Sequence, residues 1–205
     1  MEHFDVPAVL EAIARLRIQL NDPISEPDVA RFEQKHGILL PPGYREFITR
    51  IGNGGAGPFY GVFPLGSMDD NFDMRQWHEN DGFVGTLSKP FSFQNEWNDV
   101  SGMPTDDLLD QDEDAYNKQI EAFESTYWSS DVMHGAFPIC HEGCALRIWL
   151  VVTGKQAGNL WEDRRSEYAG LRPVRLADSS VATFSQWYTG WLDTCFIKAG
   201  QHNWR

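Results

Sequence analysis

Leu40-Pro41-Pro42-Gly43-Tyr44-Arg45-Glu46-Phe47, with Asn53-Gly54-Gly55-Ala56-Gly57-Pro58 a few residues later, reads as a helix, its end and a turn into a strand. Proline fixes φ and lacks an N–H, so Pro41 and Pro42 fit a helix's first turn, where the missing donor costs little. Tyr44, Phe47, Ile48 and Ile51 recur at helical spacing and mark one buried face. The run Gly52-Asn53-Gly54-Gly55 predicts the helix end, because glycine and asparagine accept the positive φ of a C-terminal cap. Gly61-Val62-Phe63-Pro64-Leu65 predicts a short apolar strand. Gly52 to Gly57 also spells G-x-G-x-x-G. A dinucleotide fingerprint needs a strand before it and a helix after it. Here the order is reversed, so the glycines face the wrong end of a helix dipole for a phosphate.

Outward from this stretch, Val9, Leu10, Ile13, Leu16 and Leu20 predict an amphipathic helix from Val6 to Leu20, ended by Asn21-Asp22-Pro23. Ser25 and Asp28 have capping-box spacing at the start of a second helix that runs to Gly37. Toward the C-terminus, Ala136–Cys140 and Ala145–Val152 read as strands. A glycine-bearing turn over 154–158 then leads to Asn159-Leu160-Trp161, an antiparallel hairpin. Thr183 and Gln186 have capping-box spacing before a wide stripe of Phe184, Trp187, Tyr188, Trp191, Leu192, Cys195 and Phe196, which reads as core packing on a last helix. In the middle, residues 67–87 read as loop with strand pieces, Phe91-Ser92-Phe93 as a short strand, Met103–Asp114 as acidic loop or short helix, and Gln119–Trp128 as helix. The predicted class is α+β: N-terminal helices and a C-terminal amphipathic helix on a largely antiparallel sheet, in a single domain over 1–205 with an acidic insertion at 67–135.

The net charge of −13 is not evenly spread. Residues 69–132 carry sixteen carboxylates against Arg75, Lys89 and Lys118, which accounts for all of it; the flanks are neutral. A concentrated negative field repels phosphate backbones and anionic lipid and attracts basic proteins, so nucleic acid and membrane are not expected partners. Phe72, Trp77, Phe83, Phe91, Phe93, Trp97, Tyr116, Phe123, Tyr127 and Trp128 interleave with the charge. Disordered acidic tails are usually poor in aromatics, so the segment is expected to be ordered and packed, with some rings left as contact anchors. No stretch of 18 apolar residues occurs, the acidic start Met1-Glu2-His3-Phe4-Asp5 lacks the plan of a secretory signal, and three cysteines fit a reducing cytosol. A cytoplasmic location is expected.

The order of the acidic-capped helix, Leu39-Leu40-Pro41, the Tyr44/Phe47 helix, Asn53-Gly54-Gly55 and the strand resembles the SUKH superfamily, named for the yeast Smi and Knr cell-wall regulators and their bacterial relatives. Gly154, Gly158 and Asn159-Leu160-Trp161-Glu162-Asp163, and then Phe184, Trp187 and Trp191, fit the family's later elements. The resemblance covers 25–66 and 136–197. It implies a non-enzymatic binding protein. Bacterial members act as immunity proteins that each block one toxin, often a nuclease; yeast members act as regulatory scaffolds with several partners.

Chemistry-bearing patterns are few. Asp110 to Glu121 imitates a calcium loop, but Ala115 stands where glycine is needed and Lys118 sits among the ligands. Cys140-His141-Glu142-Gly143-Cys144 offers three ligand types in five residues, short of the four a structural zinc site needs, and reads as a strand end and turn. Ser129, Ser130, Asp131 and His134 are triad residue types without a nucleophile elbow. No catalytic residue, metal or cofactor is expected. The expected partner-binding residues are Asp106, Asp107, Asp110, Asp112, Glu113 and Asp114, with Trp97 and Trp128 as aromatic anchors. The expected partner is a cognate protein toxin or another basic protein; the sequence leaves the oligomeric state open.

Overall fold

The computed structural model of the protein describes residues 3–70 and 73–200; Met1, Glu2 and Phe72, used above, lie outside them. Among the described residues, six helices and two antiparallel sheets follow in the order α1 (Val6–Leu16), α2 (Glu26–His36), α3 (Pro42–Arg50), β1 (Ser67–Asp70), β2 (Asp73–Gln76), α4 (Asp106–Gln111), α5 (Glu113–Tyr127), β3 (Ala136–Gly143), β4 (Leu146–Val151), β5 (Leu160–Asp163), β6 (Leu171–Pro173) and α6 (Phe184–Lys198). The class is α+β, as the periodicities imply.

Caps account for most helix boundaries. The Asp5 carboxylate accepts the Ala8 N–H at 3.2 Å and starts α1. That helix ends four residues short of Leu20. Arg17 turns left-handed at φ 54, and the Arg17 and Ile18 N–H groups close back on Ala14 and Ile13. Ser25 caps α2 and Gly37 closes it at φ 63. Thr183 and Gln186 form the expected capping box on α6.

The glycine run after α3 works differently from the cap read in the sequence. The helix closes at Ile51, which keeps a right-handed φ of −112. Gly54 and Gly55, three and four residues beyond Ile51, take φ +82 and +112. A Cβ on Gly54 would lie 2.6 Å from the Val62 carbonyl, and one on Gly55 would lie 2.7 Å from Leu20 Cα. Leu20, Gly55, Val62 and Cys140 are thus bridged side by side, extending the β3 edge of the sheet. The expected strand over 61–65 shrinks to this bridge at Val62 plus the Phe63 N–H donating to Ile139 at 2.8 Å. Phe91–Phe93 is loop, anchored by the Phe91 N–H on the Thr153 carbonyl.

The larger sheet runs β3-β4-β5-β6 and the β1-β2 hairpin packs beside β3. Register assigns its faces. Phe137 lies opposite Leu150, and Leu150 opposite Leu160. Phe137 meets Tyr44 of α3 at 5.7 Å between rings, and Tyr44 meets Phe184 of α6 at 5.0 Å. Trp149 and Trp161 share the other face. Trp161 meets Phe91, and a chain of rings continues through Phe93 and Trp97 to Tyr127 of α5. Helices α2, α3 and α6 therefore cover one face, where Trp77 also stacks on Phe137, and the stretch from Phe91 to α5 covers the other. Phe184, Tyr188, Leu192 and Phe196 are fully buried along α6, each side chain contributing about 1.5–3 kcal/mol on removal from water. Trp77, Val84, Leu87 and Phe91 join the same core, so the acidic middle segment is packed, as its aromatics imply.

Candidate functional site

The six expected carboxylates gather on one corner. Asp106 and Asp107 occupy the first turn of α4, and Glu113 and Asp114 the first turn of α5, where the positive end of the helix dipole favours them. Asp112 joins the two helices. Its N–H donates to the Leu108 carbonyl at 2.8 Å, ending α4, and its carboxylate accepts the Ala115 N–H at 2.9 Å, starting α5. All six are exposed, and none forms an ion pair among the described residues. Leu109 stands exposed between them.

Trp97 and Trp128 lie elsewhere. At 1.5 Å per residue, the sixteen steps along α5 from its N-cap Asp112 to its C-cap Trp128 span about 24 Å. Both tryptophans instead meet around Tyr127. Trp97 stacks on Tyr127 at 5.4 Å, and Trp128 meets it edge-on at 5.8 Å. Trp97 is half-buried; Trp128 is 38% exposed, with the Arg165 guanidinium 5.2 Å from its ring centre. Carboxylates and tryptophans thus mark the two ends of one helix.

Tyr127 is what seats that helix. Its hydroxyl donates to Asn98 at 2.7 Å and accepts the Gly170 N–H at 3.0 Å. Asn98 in turn donates to the Tyr168 carbonyl. Arg165, itself 4% exposed, grips Asp163 through two bonds of 2.9 and 2.7 Å and donates to the Tyr127 carbonyl at 3.2 Å. Trp97 exchanges backbone hydrogen bonds of 2.9 and 2.7 Å with Leu171, adding a bridge beyond β6. The acidic helix α5 is held on the sheet by neutral and paired groups beneath it, and α4 packs on α5. Between α5 and the loop 97–102 a cleft of about 440 Å³ remains, with Trp97, Asp99, Phe123 and Tyr127 in its walls.

The other patterns do not assemble into chemistry. Residues 113–121 of the calcium-like run are helical, so their carboxylates spread around α5 instead of wrapping an ion. Cys140 is buried in β3, its thiol against the Pro58 carbonyl at 3.4 Å, and burial pushes the thiol well above its ordinary range. Cys144 is exposed at the β3-β4 turn, so the two sulfurs face different surroundings. His141 turns to the opposite side of β3, its Nδ1 2.5 Å from Asp69, with Arg147 beside that carboxylate; the trio ties β1 to β3 and β4 and holds no nucleophile. Ser129 is occupied capping Asp131, and Nδ1 of His134 accepts the Thr86 N–H at 3.0 Å. Burial, then the Lys89 ammonium, holds His134 below its usual pKa.

One surface went unread in the sequence. Phe59 and Tyr60, between the glycine run and Val62, are 61% and 72% exposed. Phe59 sits at φ 53, a conformation unusual for an aromatic residue, and Tyr60 stacks on His141 at 5.3 Å. Two aromatics inside a turn bounded by Pro58 and Gly61 were the available signal. A family model described as SMI1 / KNR4 family (SUKH-1) matches residues 23–179. The matched range includes the acidic middle segment, where the sequence alone offered no resemblance, and ends before α6. No curated protein and no solved structure matches the chain.

Proposed function

This chain belongs to the SMI1 / KNR4 family (SUKH-1), and from that premise we propose a non-enzymatic binding protein that acts as an immunity protein in the cytoplasm, neutralising a cognate basic toxin. Residues 1–205 act as one domain whose segment 67–135 carries the binding face. The observation that carries this reading is the exposed carboxylate corner of α4 and α5, without an ion pair among the described residues, with α5 held on the sheet through Tyr127 and Arg165. Such a corner steers a positively charged protein during encounter; Leu109 gives it an apolar contact, and Trp128 adds a second at the far end of α5. Enzymes that cut nucleic acid are commonly basic because they hold a phosphate backbone, so a nuclease suits the corner.

The test is co-expression with the polypeptide encoded beside this protein. A tight complex that rescues cells from a toxic basic neighbour supports immunity. A harmless neighbour with no complex, and a pull-down returning several cellular proteins, supports the regulatory-scaffold role instead. Within a complex, Asp107→Lys, Asp110→Lys and Asp114→Lys together slow association and flatten its salt dependence in stopped-flow; an unchanged salt slope refutes the acidic corner. Asp112 is left intact there because it caps α5.

A further inference from the structure

We infer that the cleft between α5 and the loop 97–102 receives an arginine side chain of the protein partner. The inference rests on the binding-protein reading and names the place and chemistry of one contact within it. The cleft holds about 440 Å³, more than a guanidinium and its stem require. Phe123, Tyr127 and Trp97 form a continuous ring stack, with centres 5.0 and 5.4 Å apart and planes within 26° of parallel. Phe123 and Tyr127 are buried, whereas Trp97 keeps part of its surface open. Asp99 supplies the charge. Its Oδ1 takes both the Ser101 N–H at 3.2 Å and the Ser101 hydroxyl at 2.6 Å, which fixes the carboxylate and holds it below the usual carboxylate pKa. Oδ2 accepts no bond among the described residues, and no basic side chain lines the cleft.

A fixed carboxylate beside the part of the Trp97 ring that Tyr127 and Phe93 leave open suits a planar cation. Guanidinium can lay its plane against that part of the ring and pair with the carboxylate through its fork, a geometry that suits it better than the point charge of a lysine ammonium. The walls are set in advance. Trp97 is held by its two backbone bonds to Leu171, Asn98 by Tyr127 and Tyr168, and Gln119 of α5 donates to the Gly102 carbonyl at 3.2 Å across the cleft. Little ordering is left to offset binding.

The experiment is a titration of isotope-labelled full-length protein with N-acetyl-arginine methylamide, followed by NMR. The expected result is a saturable shift of the Trp97 indole N–H and of the Ser101 and Gly102 amides. The isosteric citrulline compound leaves them in place. Asp99→Asn, which keeps the acceptor for Ser101, weakens binding about two- to fivefold, as does Trp97→Leu, the factor carried by one exposed ion pair or cation–π contact. An equal response to citrulline, equal affinity for the lysine compound, or an unchanged Asp99→Asn titration overturns the inference. The two readings fail separately. If a basic partner responds to the α4–α5 charge reversals while Trp97 ignores arginine, the cleft is refuted and the acidic corner stands. If Trp97 responds but no basic protein associates, the cleft stands and the immunity reading falls.

Discussion

Gly170→Ala tests how the middle segment is held on the sheet. Gly170 sits at φ +70, and a Cβ there would lie 1.9 Å from the Trp97 carbonyl oxygen and 2.7 Å from Asn98 Cβ. The same carbonyl accepts the Leu171 N–H at 2.7 Å, so the methyl group cannot be accommodated without opening the Trp97–Leu171 bridge. Alanine in a left-handed conformation costs about 1–2 kcal/mol. Losing the two bridge hydrogen bonds costs about 0.5–1.5 kcal/mol each. The variant is therefore expected to lose about 2–5 kcal/mol of stability in urea unfolding followed by tryptophan fluorescence. Gly82→Ala is the control: Gly82 has φ +94 with nothing within 4 Å of its would-be Cβ, so backbone strain alone applies, about 1–2 kcal/mol. Hydrogen exchange locates the damage, with the Leu171 and Trp97 amides losing protection in Gly170→Ala and keeping it in Gly82→Ala. Equal losses in the two variants, or a protected Leu171 amide in Gly170→Ala, would refute the argument that close approach at this position holds the segment in place.

Arg165→Met leaves the buried Asp163 carboxylate without its partner and should destabilise the protein by about 3–5 kcal/mol, with Asp163→Asn in the same chain recovering part of the loss; an additive double variant would count against the pair. Burial, with Glu162 nearby, pushes the Glu142 carboxyl up to about 7. The unfolded chain ionises it in the ordinary carboxylate range, so through the window up to about pH 7 the folded state keeps a proton the unfolded state has released, and stability falls as pH rises. Glu142→Gln should therefore lose less of its urea midpoint than the parent protein between pH 5 and pH 8, and parallel curves would sink the assignment. Thiol labelling of the native protein should modify exposed Cys144 first and reach Cys140 only on unfolding; early labelling of Cys140 would contradict its burial.

The caps at Ser25 and Thr183, the Pro41–Pro42 helix start and the α6 stripe were legible because each depends on residues a few positions apart. The end of α1 was not, because Arg17 carries no composition signal for a left-handed turn; the helix yields there so that Leu20 can pair with Gly55. The candidate site was legible in part. Its carboxylates are neighbours in the chain and stay neighbours in space. Trp97 and Trp128 lie far apart in sequence, and only the packing around Tyr127 brings them together.

By itself the sequence determined the class, the helix starts, the uneven charge and the order of elements that marks the family. Those properties follow from composition and from periods of two and 3.6 residues, which local chain geometry sets. Tertiary structure alone decided that the glycine run joins Leu20, Val62 and Cys140, that the stretch from Phe91 to α5 covers one face of the sheet, and that an aromatic cleft opens beside Asp99. Each joins residues distant in the chain, through ring packing such as Phe91 on Trp161 and through close backbone approach at Gly55 and Gly170.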